Sequence, residues 1–199
     1  GDDLVETVLG ITCSNITFIG QGIGETTIFG GIAICSVQNI TLKQLTVTNT
    51  NGQGILMYGA EVELVDIAAV HCYSDGISVN STHDFDSSQF VATRCEMSNN
   101  GHNGLYISTS RDYISFNVCL KNCISHHNSN GIYVDGKGVV NIHGDVTAVH
   151  SNDRCGIYAW DFGKIVLHLP SHHNTIYNNG SENRRVAVGA TITNIDTHT

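Results

Sequence analysis

Residues 131–160 read GIYVDGKGVVNIHGDVTAVHSNDRCGIYAW and contain one full repeat of the chain, flanked by two glycine-led tetrapeptides. In each tetrapeptide, glycine is followed by an aliphatic residue, a variable residue and a second apolar residue. The pattern recurs as GIAI at 31–34, GILM at 54–57, GISV at 76–79, GLYI at 104–107, GIYV at 131–134 and GIYA at 156–159. The tetrapeptides thus recur at a nearly regular interval along the chain. A period of this size predicts a solenoid built from repeated coils.

The content of each repeat predicts short strands rather than helices. Alternate apolar residues in the tetrapeptide are typical of a strand with one buried face. Two more short apolar segments follow in each repeat, such as GVVNIHG at 138–144 and VTAV at 146–149. Three short strands joined by turns rich in Asn, Gly and Ser are typical of one coil of a parallel β-helix. We therefore predict an all-β, right-handed, single-stranded parallel β-helix of about 7–8 coils, with residues 1–199 forming one domain.

The polar turn before each glycine, such as SHHNSN or HSNDRC, predicts columns of Asn, His or Ser that exchange hydrogen bonds along the stack. No carboxylate stands at ligand spacing beside these histidines, so we predict neither a metal site nor another cofactor.

Composition restricts the classes of partner. The formal net charge is −9, and no basic stripe is available to neutralise phosphates, which argues against nucleic acid. No apolar run approaches the roughly 18–20 residues of a membrane span, and no signal peptide is recognisable. Neither end of the repeat array shows a capping helix, so we expect a homo-oligomer or a flanking domain at open strand edges.

Seven cysteines are an odd number and lack zinc-like pairing. They could form a disulfide framework, or they could be small apolar side chains packed inside the coils. The second interpretation is favoured, because a long solenoid needs no covalent staples.

The outward positions of the tetrapeptides form the candidate ligand face. Tyr106, Tyr133 and Tyr158 each stand at the third position of a tetrapeptide, which predicts an aromatic column on three consecutive coils. Asp135 and Trp160 directly follow two of these tetrapeptides and point to the same side. Three basic residues are predicted near this face: Arg111, Lys137 and Lys164. The rings could hold a sugar chain and the bases its acidic groups, or the column could simply stabilise coil stacking.

Four residues are candidate catalytic acids or bases: Asp135, Asp161, His143 and His168. His143 follows Gly131 at the same distance along the chain as His168 follows Gly156, so the two histidines occupy the same register on adjacent coils. Histidine can accept and donate protons near neutral pH. The favoured alternative is that both are exposed strand residues without a catalytic role, because neither has an evident orienting partner.

The coils, with their glycine-led tetrapeptides and three short strands per repeat, resemble the parallel β-helix repeat of the pectate-lyase-like superfamily. The stretch HGDVTAVHSNDRCGIYAWDFGKIVLHLPSHHN at 143–174 resembles more particularly the multi-copy β-helix repeat proteins of microalgae and their large viruses. The likeness extends approximately over residues 11–195. It implies a polysaccharide ligand, often anionic, on an outer strand face. It also implies an extracellular, cell-surface or virion-associated location.

The catalytic signatures of the superfamily's enzymes are not intact. The only Asp-Asp pair is Asp2-Asp3, no Gly-His-Gly occurs, and the single proline, Pro170, is not part of an Asp-Pro-His motif. Our first hypothesis is therefore a carbohydrate-binding or surface-displayed module. A polysaccharide-modifying enzyme (a lyase, hydrolase or epimerase) and a purely structural spike or spacer are the alternatives.

Overall fold

The computed structural model of the chain describes residues 7–81, 89–109, 116–168 and 175–195, and the regular elements in these ranges are β-strands. The strands are β1 (Leu9–Ile11), β2 (Ile16–Ile19), β3 (Thr27–Phe29), β4 (Ile32–Cys35), β5 (Ile40–Thr48), β6 (Ile55–Tyr58), β7 (Glu61–Val70), β8 (Ile77–Asn80), β9 (Gln89–Thr93), β10 (Glu96–Ser98), β11 (Asn103–Ser108), β12 (Asn117–Lys121), β13 (Ile124–His126), β14 (Asn130–Asp135), β15 (Val139–His143), β16 (Ala148–His150), β17 (Cys155–Trp160), β18 (Lys164–His168), β19 (Ile176–Tyr177), β20 (Glu182–Val186) and β21 (Thr191–Asn194).

The strands form two sheets in which each strand pairs in parallel with its equivalents one coil away. Sheet A contains the glycine-led strands in the order β1-β4-β6-β8-β11-β14-β17-β20. Sheet B contains the other 13 strands, which supply the second and third strand of each coil. In the early coils β5 and β7 run through the corner between these two positions, whereas later coils divide there into separate strands. The arrangement is a parallel β-solenoid, as the repeat predicts.

The tetrapeptides lie directly above one another. Two inward rows run along sheet A: Ile32, Ile55, Ile77, Leu105, Ile132 and Ile157, and then Ile34, Met57, Val79, Ile107, Val134 and Ala159. All of these side chains are buried in one continuous core. The predicted alternation of buried and outward residues is confirmed, with one difference. Ser78 stands in the outward column but is only 2% exposed, and its short side chain accepts a hydrogen bond from Asn80 Nδ2.

The turn that leads into sheet A contains an asparagine ladder, formed by Asn100, Asn128, Asn152 and Asn179. The backbone N–H of each of the first three donates to the Oδ1 of the next, at 3.1 Å in every case. The side-chain amides also donate to strand carbonyls, for example from Asn128 Nδ2 to Met97 O. These bonds satisfy buried turn groups that would otherwise lack partners. The predicted polar column therefore exists and lies largely inside the coil.

All seven cysteines are free thiols. Cys72, Cys95, Cys123 and Cys155 are buried, as the packing interpretation expects, whereas Cys13 and Cys35 are exposed.

Candidate functional site

The tyrosine column, formed by Tyr106, Tyr133 and Tyr158, lies on the outer face of sheet A. The three residues are in register on β11, β14 and β17. Ring centroids of Tyr106 and Tyr133 are 5.4 Å apart with planes tilted by 47°, and those of Tyr133 and Tyr158 are 4.8 Å apart and stacked. Each of the three residues is half-buried. The predicted aromatic column is thus present.

The ring orientation differs from a flat platform. Tyr133 and Tyr158 are stacked on adjacent coils, with only 7° between their ring planes. One face of each ring is therefore turned towards the other ring. Trp160 meets Tyr158 edge to face, with 79° between the two ring planes. The indole of Trp160 therefore has a ring orientation that differs from that of the two stacked tyrosines.

Polar groups border the tyrosine column on both sides. Asp135 pairs in register with Trp160 on one side. On the other side Asp75 Oδ1 accepts hydrogen bonds from the backbone N–H and the Nδ2 of Asn103, and Asn130 Nδ2 donates to Asn103 Oδ1. Burial raises the pKa of Asp75 above its ordinary value. The site thus combines aromatic edges with fixed hydrogen-bonding groups.

The phenols of Tyr106 and Tyr133 remain protonated. Burial first, and then the charge of Asp135, raise the pKa of Tyr133 to about 12. The pKa of Tyr106 is raised as well, again mainly by burial. Both hydroxyls are therefore neutral and able to donate a hydrogen bond across the physiological pH range.

The three predicted bases have different positions. Lys137 lies in the turn that follows β14, two residues after Asp135 along the chain. Lys164 begins β18 and so belongs to sheet B rather than to the sheet of the tyrosine column, because the turn after Trp160 ends before it. Arg111 lies outside the described residues.

A base that sequence reasoning missed completes the column. Arg185 pairs in register with Tyr158, and its guanidinium carbon lies 5.0 Å from the Tyr158 ring centroid, a cation–π contact. Arg185 was missed because its strand, β20, has the polar sequence ENRRV and lacks the apolar alternation of the other repeats. The signal that could have found Arg185 is its separation from Tyr158 along the chain, which equals the separation between Tyr106 and Tyr133.

The four candidate catalytic residues do not form one cluster. Asp135 ends β14 on sheet A, whereas His143 lies at the far end of β15, a strand about 13 Å long. Asp161 is only 6% exposed and occupies the turn after β17 with a φ of 45°. The structure therefore separates the acids from the histidines, and a general acid–base pair needs both groups within reach of one reacting bond.

His143 and His168 are brought together by the register of β15 and β18. Their ring centroids are 4.1 Å apart with 11° between the planes. His168 has an orienting partner that the sequence did not reveal, since its Nε2 lies 2.9 Å from Asn141 Oδ1. Burial, then His168 and Lys121, lower the pKa of His143. The pair is therefore fixed in its geometry, and His143 is more readily deprotonated than a free histidine.

A second group of histidines lies on the third strand of the coils. His126, His150 and Tyr177 stack in register, with ring centroids 5.1 Å and 5.0 Å apart. His126 also contacts His127, with 2.6 Å between the Nδ1 atoms, and Glu96, with 3.2 Å between Nε2 and Oε1. Within the described ranges, no three His, Cys, Asp or Glu side chains are placed to hold a metal ion. Nor does any helix there have the length and apolar character to cross a membrane.

Comparison with known proteins agrees with the architecture. A family described as the right handed beta helix region matches residues 10–181, which is most of the chain. No curated protein and no solved structure matches. The parallel coils, the buried tetrapeptide rows and this match together show that the chain belongs to the right-handed β-helix family.

Proposed function

We propose that the protein is a carbohydrate-binding module that holds a polysaccharide along the tyrosine column, with the sugar chain parallel to the solenoid axis. The observation that carries this proposal is the in-register column of half-buried tyrosines on three consecutive coils, with Trp160 beside it. Tyrosine and tryptophan combine an apolar ring with a polar tip, which suits a surface that must contact both the C–H groups and the hydroxyls of a sugar.

The proposed contacts follow from the ring orientation. The outward phenol hydroxyls would bind sugar hydroxyls, and the indole face of Trp160 would stack on a pyranose ring. Parallel coils repeat every ~4.8 Å, a step comparable with the length of one sugar unit, so each coil could contact one unit. Lys137 and Arg185 would favour carboxylated or sulfated chains. An extracellular, cell-surface or virion-associated location is part of the same proposal.

Binding is favoured over catalysis because Asp135 and Asp161 lie far from His143 and His168. A purely structural role is the remaining alternative, since ring stacking along a parallel sheet contributes to stability by itself, at about 0.2–1 kcal/mol for each neighbouring pair. The binding role and the structural role differ in one respect: truncation of the tyrosine column weakens ligand binding only if the column is a binding site.

The test measures binding of xylan, laminarin, alginate and polygalacturonate by isothermal titration calorimetry. We expect at least one polymer to bind, and Tyr133→Ala to weaken that binding about tenfold or more, equivalent to about 1.4 kcal/mol. The matched control is Leu56→Ala, because Leu56 stands in the same outward column three coils earlier. Binding by Leu56→Ala should equal that of the wild type. Absence of binding to all four polymers, or equal losses in both variants, would overturn the proposal.

A further inference from the structure

Two consecutive histidines, His126 and His127, meet at the corner where β13 ends. Their Nδ1 atoms lie 2.6 Å apart, with 82° between the ring planes. Adjacent residues of a strand normally point to opposite faces. His127 has a φ of 53°, in the left-handed region, and this corner conformation brings its side chain back beside that of His126. Two imidazole nitrogens therefore lie within reach of one ion.

The equivalent corners of the neighbouring coils have the same arrangement. One coil earlier, Asn99 has a φ of 56° and its Nδ2 donates to Ser98 Oγ at 3.2 Å. One coil later, Ser151 has a φ of 54° and its Oγ lies 3.1 Å from His150 Nδ1. Contact between the last strand residue and the corner residue is thus a property of the fold, and the sequence decides which atoms meet there. Of these three coils, the middle one has an imidazole at both positions.

We propose that His126 and His127 form a metal site that binds Cu(II) or Ni(II), with water in the remaining coordination positions. The two imidazoles are the protein ligands, since no third His, Cys, Asp or Glu side chain among the described residues is placed to join them. The site lies on sheet B, whereas the tyrosine column lies on sheet A, and neither depends on the other.

The His126 ring is oriented by groups on its other side. Its Nε2 lies 3.2 Å from Glu96 Oε1, which also accepts a hydrogen bond from Ser98 Oγ at 2.7 Å. An ionised carboxylate can only accept, so the neutral ring has its hydrogen on Nε2 and a free lone pair on Nδ1. Metal-binding histidines almost always donate their second N–H in this way. His150 stacks on the same ring with 1° between the planes, so this ligand is held in place before an ion arrives.

The separation of the two nitrogens selects the kind of ion. Two ligands at right angles, with bonds of ~2.0 Å, lie ~2.8 Å apart, whereas two tetrahedral ligands lie ~3.3 Å apart. The observed separation of 2.6 Å is closer to the first value. Coordination at right angles by nitrogen is typical of Cu(II) and Ni(II), which bind imidazole more tightly than Mn(II), Fe(II) or Co(II) does. Calcium and magnesium prefer oxygen ligands, so we do not expect them to bind.

Binding of the ion by the neutral rings releases no proton. Without the ion, His127 Nδ1–H donates to the lone pair of His126 Nδ1. When the ion takes the place of this hydrogen, the hydrogen moves through solvent to Nε2 of His127, which is exposed. The carboxylate of Glu96, next to His126, offsets part of the charge of the ion.

The experiment titrates Ni(II) into the full chain at pH 7.5 by isothermal titration calorimetry. We expect one Ni(II) to bind to each chain. His127→Asn should weaken this binding about a hundredfold, because it removes the second of two linked ligands. Asparagine occupies the equivalent corner at Asn99 with nearly the same φ, so this variant should fold, as circular dichroism would verify. His126→Ser, which copies Ser98 in the same way, should lose as much affinity.

A further variant tests the orienting role of Glu96. Glu96→Gln keeps both imidazoles but removes the carboxylate, and we expect about tenfold weaker binding, a smaller loss than in His127→Asn. An unchanged affinity in Glu96→Gln would overturn this role.

The matched control is the double variant His143→Asn/His168→Asn. It removes two other histidines that lie together, with ring centroids 4.1 Å apart, and should bind Ni(II) like the wild type. Ni(II) is the probe because Cu(II) oxidises thiols, and Cys13 and Cys35 are exposed. Cys13→Ser/Cys35→Ser should also bind like the wild type. Absence of Ni(II) binding, equal losses in His127→Asn and the histidine control, or loss of binding in the cysteine variant would overturn the proposal.

Discussion

The coils up to β8 and the coils from β11 onward share one interior but have different surfaces. The inward rows of sheet A are aliphatic in both regions, apart from Met57. The outward column beside them contains Ala33, Leu56 and Ser78 in the first region, and the three tyrosines in the second. Residues 1–100 contain 11 acids and two bases, whereas residues 101–199 contain seven of each. The comparison teaches that the solenoid constrains inward residues equally in every coil and leaves outward residues free to specialise.

The turn into sheet A shows the same contrast inside the coil. From Asn100 onward the ladder position is asparagine, but the coil before it has Cys72 there, and the Cys72 backbone N–H donates to Asn100 Oδ1. The later coils are therefore connected by hydrogen bonds between side-chain amides, whereas Cys72 is joined to the ladder through its backbone N–H rather than through a side-chain amide.

The largest expected effect comes from interrupting the ladder with Asn128→Ala. Asn128 is 1% exposed, accepts hydrogen bonds from the backbone N–H and the Nδ2 of Asn100, and donates to Met97 O. Its loss leaves several buried polar groups without partners, so we expect the free energy of unfolding to fall by about 3 kcal/mol or more. The measurement is urea unfolding followed by circular dichroism.

The control for this variant is Cys72→Ala, at the equivalent position of an earlier coil. It removes a packed thiol but no amide hydrogen bonds, and we expect a loss of only about 1 kcal/mol. Equal losses in the two variants would contradict the contrast between the regions.

A smaller loss of folding stability is expected when acidification protonates His150, one of the stacked histidines of the later coils. Burial, together with His126 and His127, lowers the pKa of His150. A histidine whose folded-state pKa is lowered contributes its full stability above the unfolded value of about 6.5, and that contribution is lost as the pH falls from there towards the lowered pKa. Because the ring is partly exposed, solvent screening limits the effect to less than about 1 kcal/mol.

This effect is measured as the difference in urea midpoint between wild type and His150→Gln at pH 7.5 and at pH 5.5, so that other titrating groups cancel. On acidification the wild type should lose more stability than the variant. A difference that stays constant across this range would contradict the assignment.

The smallest effect is expected at the exposed ion pair between Asp66 of β7 and Arg94, which follows β9 on the next coil. The Arg94 Nε lies 2.7 Å from Asp66 Oδ1, and the hydrogen bond from Arg94 lowers the pKa of Asp66. Exposed pairs are screened by solvent and salt, so Arg94→Gln should leave the melting temperature nearly unchanged at pH 7. A large decrease in the melting temperature would show that the corner formed by Asp66 and Arg94, both of which have a positive φ, limits the stability of these coils more than the core does.

Much of the fold could be predicted from the chain alone, because a solenoid repeats its inward residues at nearly constant spacing. The buried alternation at Ile132 and Val134, the position of the tyrosine column and the parallel stacking were all predictable in this way. Arg185 was not, since its strand lacks the apolar alternation. The bond between Asn141 and His168 was not predictable either, since it joins two strands that lie a full coil apart in the chain.

The amino-acid order by itself determined which side chains point inward and which coils carry aromatic, histidine or asparagine residues, because strand alternation and repeat length are local properties of the chain. Only the tertiary structure decided how these side chains meet. It turned Tyr133 and Tyr158 face to face, set the Trp160 ring nearly perpendicular to that of Tyr158, and placed Lys164 and the histidine pair on a different sheet from Asp135. The physical reason is that ring planes, corners and contacts between coils depend on packing between side chains separated by a whole repeat, a range over which local sequence preferences have no influence.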